Sequence, residues 1–84
     1  MGLKSGKVKE VRLRCWEEAV GQCKAVEQGE FEISVLLGNL RIVFPAGSPE
    51  AEVLRKTNDG WIGKKIGLLR TNVPRTPLLA RLIK

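Results

Sequence analysis

In the segment KVKEVRLRCW, Arg12, Arg14 and Trp16 occupy alternate positions. On an extended chain, alternate side chains share a face, so two guanidinium groups and an indole would stand in a row. That combination suits one kind of chemistry. A single nucleic-acid strand is held by cations along its phosphates and aromatic faces beneath its bases, each stack worth about 1–3 kcal/mol. The same residues also describe a plain solvated strand face with its tryptophan tucked against the next connection. Four more cations join the candidate set: Arg41 in LRIVF, Lys65 of the Lys64-Lys65 pair, and Arg70 and Arg75, which flank or sit in TNVPRTP.

The residues that catalysis needs are missing. The chain has no histidine, which excludes Ser–His and Cys–His nucleophiles. Its one aspartate, Asp59, lies in a turn signal. Cys15 and Cys23 form no CxxC pair, and zinc wants about four ligands from Cys, His or carboxylate. No enzyme, cofactor or metal site is expected. A Cys15–Cys23 disulfide stays open, although a cytoplasmic location favours reduced thiols. That location is the expectation because MGLKSGKVKE lacks the apolar centre of a signal peptide. No membrane partner is expected either, since no apolar run approaches the roughly 20 residues of a spanning helix.

Fifteen Lys and Arg against nine Asp and Glu give a net charge of +6. Such a balance points to a polyanionic partner, single-stranded DNA or RNA, and it is also normal for a soluble small domain. Two features run the other way. The aromatics amount to two Trp and two Phe, with no Tyr. The connection over residues 17–30 carries Glu17, Glu18, Glu27 and Glu30 against Lys24, which would repel phosphate and offer a protein partner a complementary surface. Residues 1–7 read as a basic arm ahead of the domain.

Eighty-four residues make one domain with one core. FEISVLLGNLRIVF predicts a hairpin, with Gly38-Asn39 as a two-residue type I′ or II′ turn. Pairing Leu37 with Leu40 places Val35 opposite Ile42 and Ile33 opposite Phe44, all on one face. Phe31 and Phe44 are expected in the core, and Leu36 and Val43 outside. Ser48-Pro49 starts a short helix, with Glu50 and Glu52 in its first turn and Arg55 and Lys56 in its last. Asn58-Asp59-Gly60 stops it. Apolar strands follow over residues 61–71 and in PLLARLI, separated by the two prolines of TNVPRTP. The alternation up to Trp16 predicts a first strand with a basic outer face; over residues 17–29, Trp16, Val20 and Cys23 would fit one stripe of a helix, while Gly21 and Gly29 favour a long bent loop. The expected architecture is mainly β, a five-stranded OB-fold-like barrel with one short helix between strands three and four.

The segment SPEAEVLRKTNDGWIGKKIGLLRTN resembles the helix-to-strand-four part of small OB-fold proteins of archaea and phages, in which a WxGKK element enters the fourth strand. The matching residues are Trp61, Gly63, Lys64, Lys65, Ile66 and Leu68, and the resemblance covers the C-terminal half. It implies binding on the outer side of the hairpin and in the loop between the last two strands. OB-folds bind single strands, sugars and proteins alike. The expected function is therefore a non-enzymatic single-stranded nucleic-acid-binding domain, with a protein-interaction adaptor as the alternative. Trp61 reads as a plug at one barrel end or as a stacking platform. Gly63 would bend the chain into its strand, and Gly67 would mark a bulge or a close approach.

Overall fold

The computed structural model describes residues 8–57 and 60–83. They form a mainly β domain: β1 (Lys9–Val11), β2 (Glu18–Gln28), β3 (Glu32–Leu37), β4 (Leu40–Pro45), α1 (Pro49–Thr57), β5 (Lys65–Arg70) and β6 (Leu78–Leu82). The strands make one sheet in the order β1-β4-β3-β2-β5-β6. β1 runs parallel to β4 and every other pairing is antiparallel. Two expectations are corrected. The sheet is open, mixed and six-stranded instead of a closed five-stranded barrel, and the helix follows the fourth strand instead of the third.

The added strand is β2, which lies in the segment read as a bent loop. Its first half alternates, with Ala19 and Cys23 buried and Glu18, Val20 and Gln22 exposed. Gly21 does not break it. A Cβ there would lie 3.1 Å from the Leu37 carbonyl carbon, so the glycine permits close approach of β3. β2 also bends. A register shift between Cys23 and Ala25 marks a bulge, and the strand serves two partners, residues 18–22 pairing with β5 and residues beyond with β3.

The β3–β4 hairpin has the expected register, Ile33 opposite Phe44, Val35 opposite Ile42 and Leu37 opposite Leu40. Gly38 has φ 59° and Asn39 is not in the positive region, which selects the II′ turn. The other face is drier than its composition suggests. Val43 is only 3 % exposed and Ser34 is buried beside it, with Arg41 Nε donating to Ser34 Oγ at 3.3 Å. Phe31, expected in the core, is 78 % exposed. It stands in the bend before β3, where the strand alternation has not begun.

The helix has the ends its sequence describes. Ser48 Oγ accepts the Ala51 N–H at 3.2 Å and donates to the Pro45 carbonyl at 2.7 Å, a cap worth about 1 kcal/mol. Ala51 and Leu54 are fully buried. Glu52 pairs with Arg55 at 3.2 Å, one turn further along the helix. Of the stop signal, Asn58 and Asp59 lie outside the described residues, as does the basic arm over residues 1–7. The core gathers Leu13, Cys23, Ile42, Leu54, Ile66 and Leu68, with Trp61 packed at its margin. No described helix is long and apolar enough to cross a membrane.

Candidate nucleic-acid interface

The first strand does not reach Trp16. β1 ends at Val11, and the chain leaves the sheet edge to make a turn over residues 14–17. The Glu17 N–H donates to the Arg14 carbonyl at 3.1 Å, and Glu17 Oε1 accepts the Arg14 N–H at 2.7 Å. Trp16 takes the third place of this turn with φ 69°, where a type II turn asks for glycine or asparagine. The left-handed region costs an L-residue about 1–2 kcal/mol. Even so, the indole is 57 % exposed. Its backbone is what holds it: the Trp16 N–H donates to the Arg70 carbonyl, and the Arg70 N–H to the Glu17 carbonyl. The Cys15 thiol lies 3.9 Å from the Thr71 carbonyl oxygen. The turn therefore abuts the loop over residues 71–77, which carries Arg75.

The seven predicted contact residues do not form one surface. Arg12 donates to Glu32 at 2.6 Å and lies 3.8 Å from Glu10. Arg41 sits 3.5 Å from Glu27. Arg70 bridges the Glu50 carboxylate at 3.3 Å and the Leu13 carbonyl at 2.6 Å, tying β5 to α1 and to the segment after β1. Arg12 and Arg41 are thus charge-paired at the surface, whereas Arg70 is engaged in holding the fold. By contrast, Arg14, Lys65 and Arg75 are exposed and make no ion pair among the described residues.

The outer side of the hairpin, where the OB resemblance implies binding, is acidic on balance. A cleft of about 550 Å³ is lined there by Glu27, Glu30, Glu32, Phe31, Ser34 and Arg41. Three carboxylates around one guanidinium disfavour a phosphate. Nor is the acidic connection a separate protein-facing loop, because β2 disperses it. Glu18 pairs with Arg81, Glu27 with Arg41, and Glu17 closes the turn at Trp16.

Comparison with known proteins returns no match. No family model, no curated protein and no solved structure is significantly similar to this chain. What the site can do therefore rests on its own geometry.

A second turn, over residues 61–64, leads into β5 and closes the far end of the β2–β5 pairing. The Lys64 N–H donates to the Trp61 carbonyl at 2.9 Å, and Gly63 has φ 84°, the conformation glycine tolerates. Trp61 is half-buried against the core, as a plug would be, while Ile62, Lys64 and Lys65 are exposed. The turn is stitched to β2 by Gly63 N–H to the Cys23 carbonyl and Cys23 N–H to the Lys64 carbonyl, both 2.8 Å. That places Lys24, also exposed and unpaired among the described residues, beside Lys64 and Lys65. The sequence did not bring Lys24 to this cluster, because its signal was the outward register of β2, which the glycines concealed. Both cysteines are free, and burial pushes the Cys23 thiol up from its ordinary value.

Proposed function

We propose that this domain binds single-stranded nucleic acid, without catalysis, at the end of the sheet where Trp16 stands. One observation carries the reading. An indole more than half exposed is held in a costly backbone conformation in the same turn as Arg14, and its backbone is bonded to Arg70, from which the loop that carries Arg75 departs; neither Arg14 nor Arg75 forms an ion pair among the described residues. Local strain persists where the surroundings impose it, and it clusters at sites of use. The wider charge distribution agrees. Among the described residues the ion pairs occupy Glu10, Glu18, Glu27, Glu32, Glu50 and Glu52, and the cations left without one are lysines, Arg14 and Arg75. The run from β2 to β6, three strands, a helix and two strands, keeps the element order of the OB resemblance once β1 is set aside. In that resemblance the loop bearing Arg75 is a binding loop. Arg14, Trp16 and Arg75 carry contact there, Arg12 and Arg41 are neutralised by neighbouring carboxylates, and Arg70 serves mainly the fold.

The test is fluorescence anisotropy with labelled single-stranded DNA and RNA 15-mers at low and near-physiological salt. Binding should weaken as salt rises, with Trp16 emission quenched. Trp16→Ala should lose about 10-fold in affinity, the lower part of what a base stack contributes. Salt-independent binding, or full binding by Trp16→Ala, refutes the reading. A protein-interaction module is the second reading, favoured by the largely exposed Phe31. Retention of one partner after nuclease treatment, abolished by Phe31→Ser, would place it first.

A further inference from the structure

We infer that the bound strand runs lengthwise along the outer face of β2 and β5, gripped at both ends by separate sets of cations; this rests on the nucleic-acid reading above. Glu18 opposite Leu69, Val20 opposite Gly67 and Gln22 opposite Lys65 share this face. Backbone hydrogen bonds extend the ladder past both ends, to Trp16 through Arg70 and to Lys64 through Cys23. From Trp16 to Gln22 is six residues, at most about 20 Å of chain, with Glu18–Gln22 as paired strand.

On this face the cations without an ion pair among the described residues are confined to the two ends. Arg14 and Arg75 stand at one, Lys24, Lys64 and Lys65 at the other. Of the described cations without an ion pair, only Lys9 on β1 and Lys56 on α1 lie elsewhere. Between the ends the surface is neutral. Arg81 takes both oxygens of Glu18 at 3.0 and 3.2 Å, and the carboxylate lies down over Gly67, where a Cβ would come within 2.7 Å of it. Around this pair Val20 and Leu79 are exposed, and a cleft of about 420 Å³ opens between Glu18, Leu69, Leu79, Ala80 and Arg81. Such a floor suits the apolar planes of bases and offers phosphate nothing. The hairpin side, with Glu10, Glu27, Glu30 and Glu32, is the less favourable path. Stacked at about 3.4 Å per base, roughly six nucleotides span the two ends.

The experiment is an anisotropy titration of the full chain with labelled oligothymidylates of 3, 6 and 12 nucleotides. The parent is compared with Lys64→Ala/Lys65→Ala, Arg14→Ala/Arg75→Ala and Arg12→Ala/Arg41→Ala, each checked for folding by its melting temperature. Parent affinity should climb from the 3-mer to the 6-mer. The lysine variant should bind the 3-mer like the parent and lack that climb. Its 12-mer salt slope should be shallower by about 1.4, as expected when two phosphate-binding cations are removed. The Arg14/Arg75 variant should fail to bind the 3-mer, and the Arg12/Arg41 variant should keep the parent's length dependence. A lysine variant that keeps the climb, or an Arg12/Arg41 variant without it, overturns the path and leaves the nucleic-acid reading standing. Failure of the parent to bind any oligomer overturns that reading and the path with it.

Discussion

The Arg81 guanidinium grips the Glu18 carboxylate with two hydrogen bonds, Nε to Oε2 at 3.0 Å and Nη2 to Oε1 at 3.2 Å, across 63 residues of sequence. The pair spans β2 and β6 over the strand between them, and it can do so because residue 67 of β5 has no side chain. A Cβ there would meet Glu18 Oε2 at 2.7 Å. Gly67→Val should therefore push the carboxylate off the sheet and break its pair with Arg81, lowering the melting temperature by no more than about 4 °C, since the atoms that must yield are the end of a flexible side chain. Glu18→Ala in that background should recover part of the loss, since the obstructing atoms are the end of a flexible side chain. Calorimetric melts of the two single variants and the double variant check it, and strict additivity would mean that the two positions are independent.

Trp16 should show the opposite relation between stability and binding. Its left-handed backbone favours glycine or asparagine, and its exposed ring gives little to the core. Trp16→Asn should melt no lower than the parent, and up to about 4–8 °C higher if 1 kcal/mol of strain is released. The same variant should lack the quenchable emission and bind a single-stranded 15-mer about 10-fold more weakly. A variant that melts well below the parent would show that the indole supports the fold instead.

Cys23 is fully buried and its thiol is pushed above the ordinary 9.0 by that burial, with a smaller opposing effect from the Ala25 backbone hydrogen bond. The unfolded chain then gives up this proton at a lower pH than the folded one. The stabilisation is fully present below about pH 9 and falls as pH rises from there through the raised folded value. Urea denaturation at pH 7 and pH 10 should show the loss, and Cys23→Val should lack that part of it. Thiol labelling adds a kinetic check. Exposed Cys15 should react in the native state, and Cys23 only as fast as the protein opens.

How much of this was legible in the sequence depended on the range of the interaction. The hairpin could be read because the alternation of Ile33, Val35 and Leu37 and the Gly38-Asn39 turn agree on one register. The helix could be read because Ser48 and Pro49 act within one turn of themselves. β2 was concealed by Gly21, whose reason lies in β3, and by carboxylates whose partners lie elsewhere. The turn at Trp16 left no trace, because nothing local marks a tryptophan for positive φ. The candidate site suffered most. Arg12 finds Glu32 twenty residues away and Arg81 finds Glu18 63 residues away. An arginine committed to such a pair and one left free look alike in sequence.

Arg70 and Arg75 put that distinction to a direct test. Both are cations at the same end of the sheet, and the sequence offers no ground for separating them. Arg70 reaches the largely buried Glu50 carboxylate, 8 % exposed at its side chain, and the Leu13 carbonyl, while itself remaining partly solvated. Removing it leaves a buried acceptor unsatisfied, at a cost of about 1–3 kcal/mol, so Arg70→Ala should melt lower by about 4 °C or more. Arg70→Ala/Glu50→Gln should recover part of that loss, because the carboxylate charge is then gone. Arg75 has no described partner to abandon. Arg75→Ala should melt like the parent yet bind single strands more weakly, with a salt slope shallower by about 0.7, the share of one phosphate-binding cation. Paired melts and titrations of the two variants decide it. If Arg70→Ala keeps its stability and binds poorly while Arg75→Ala matches the parent in both, the assignment of fold and contact to these two arginines is reversed.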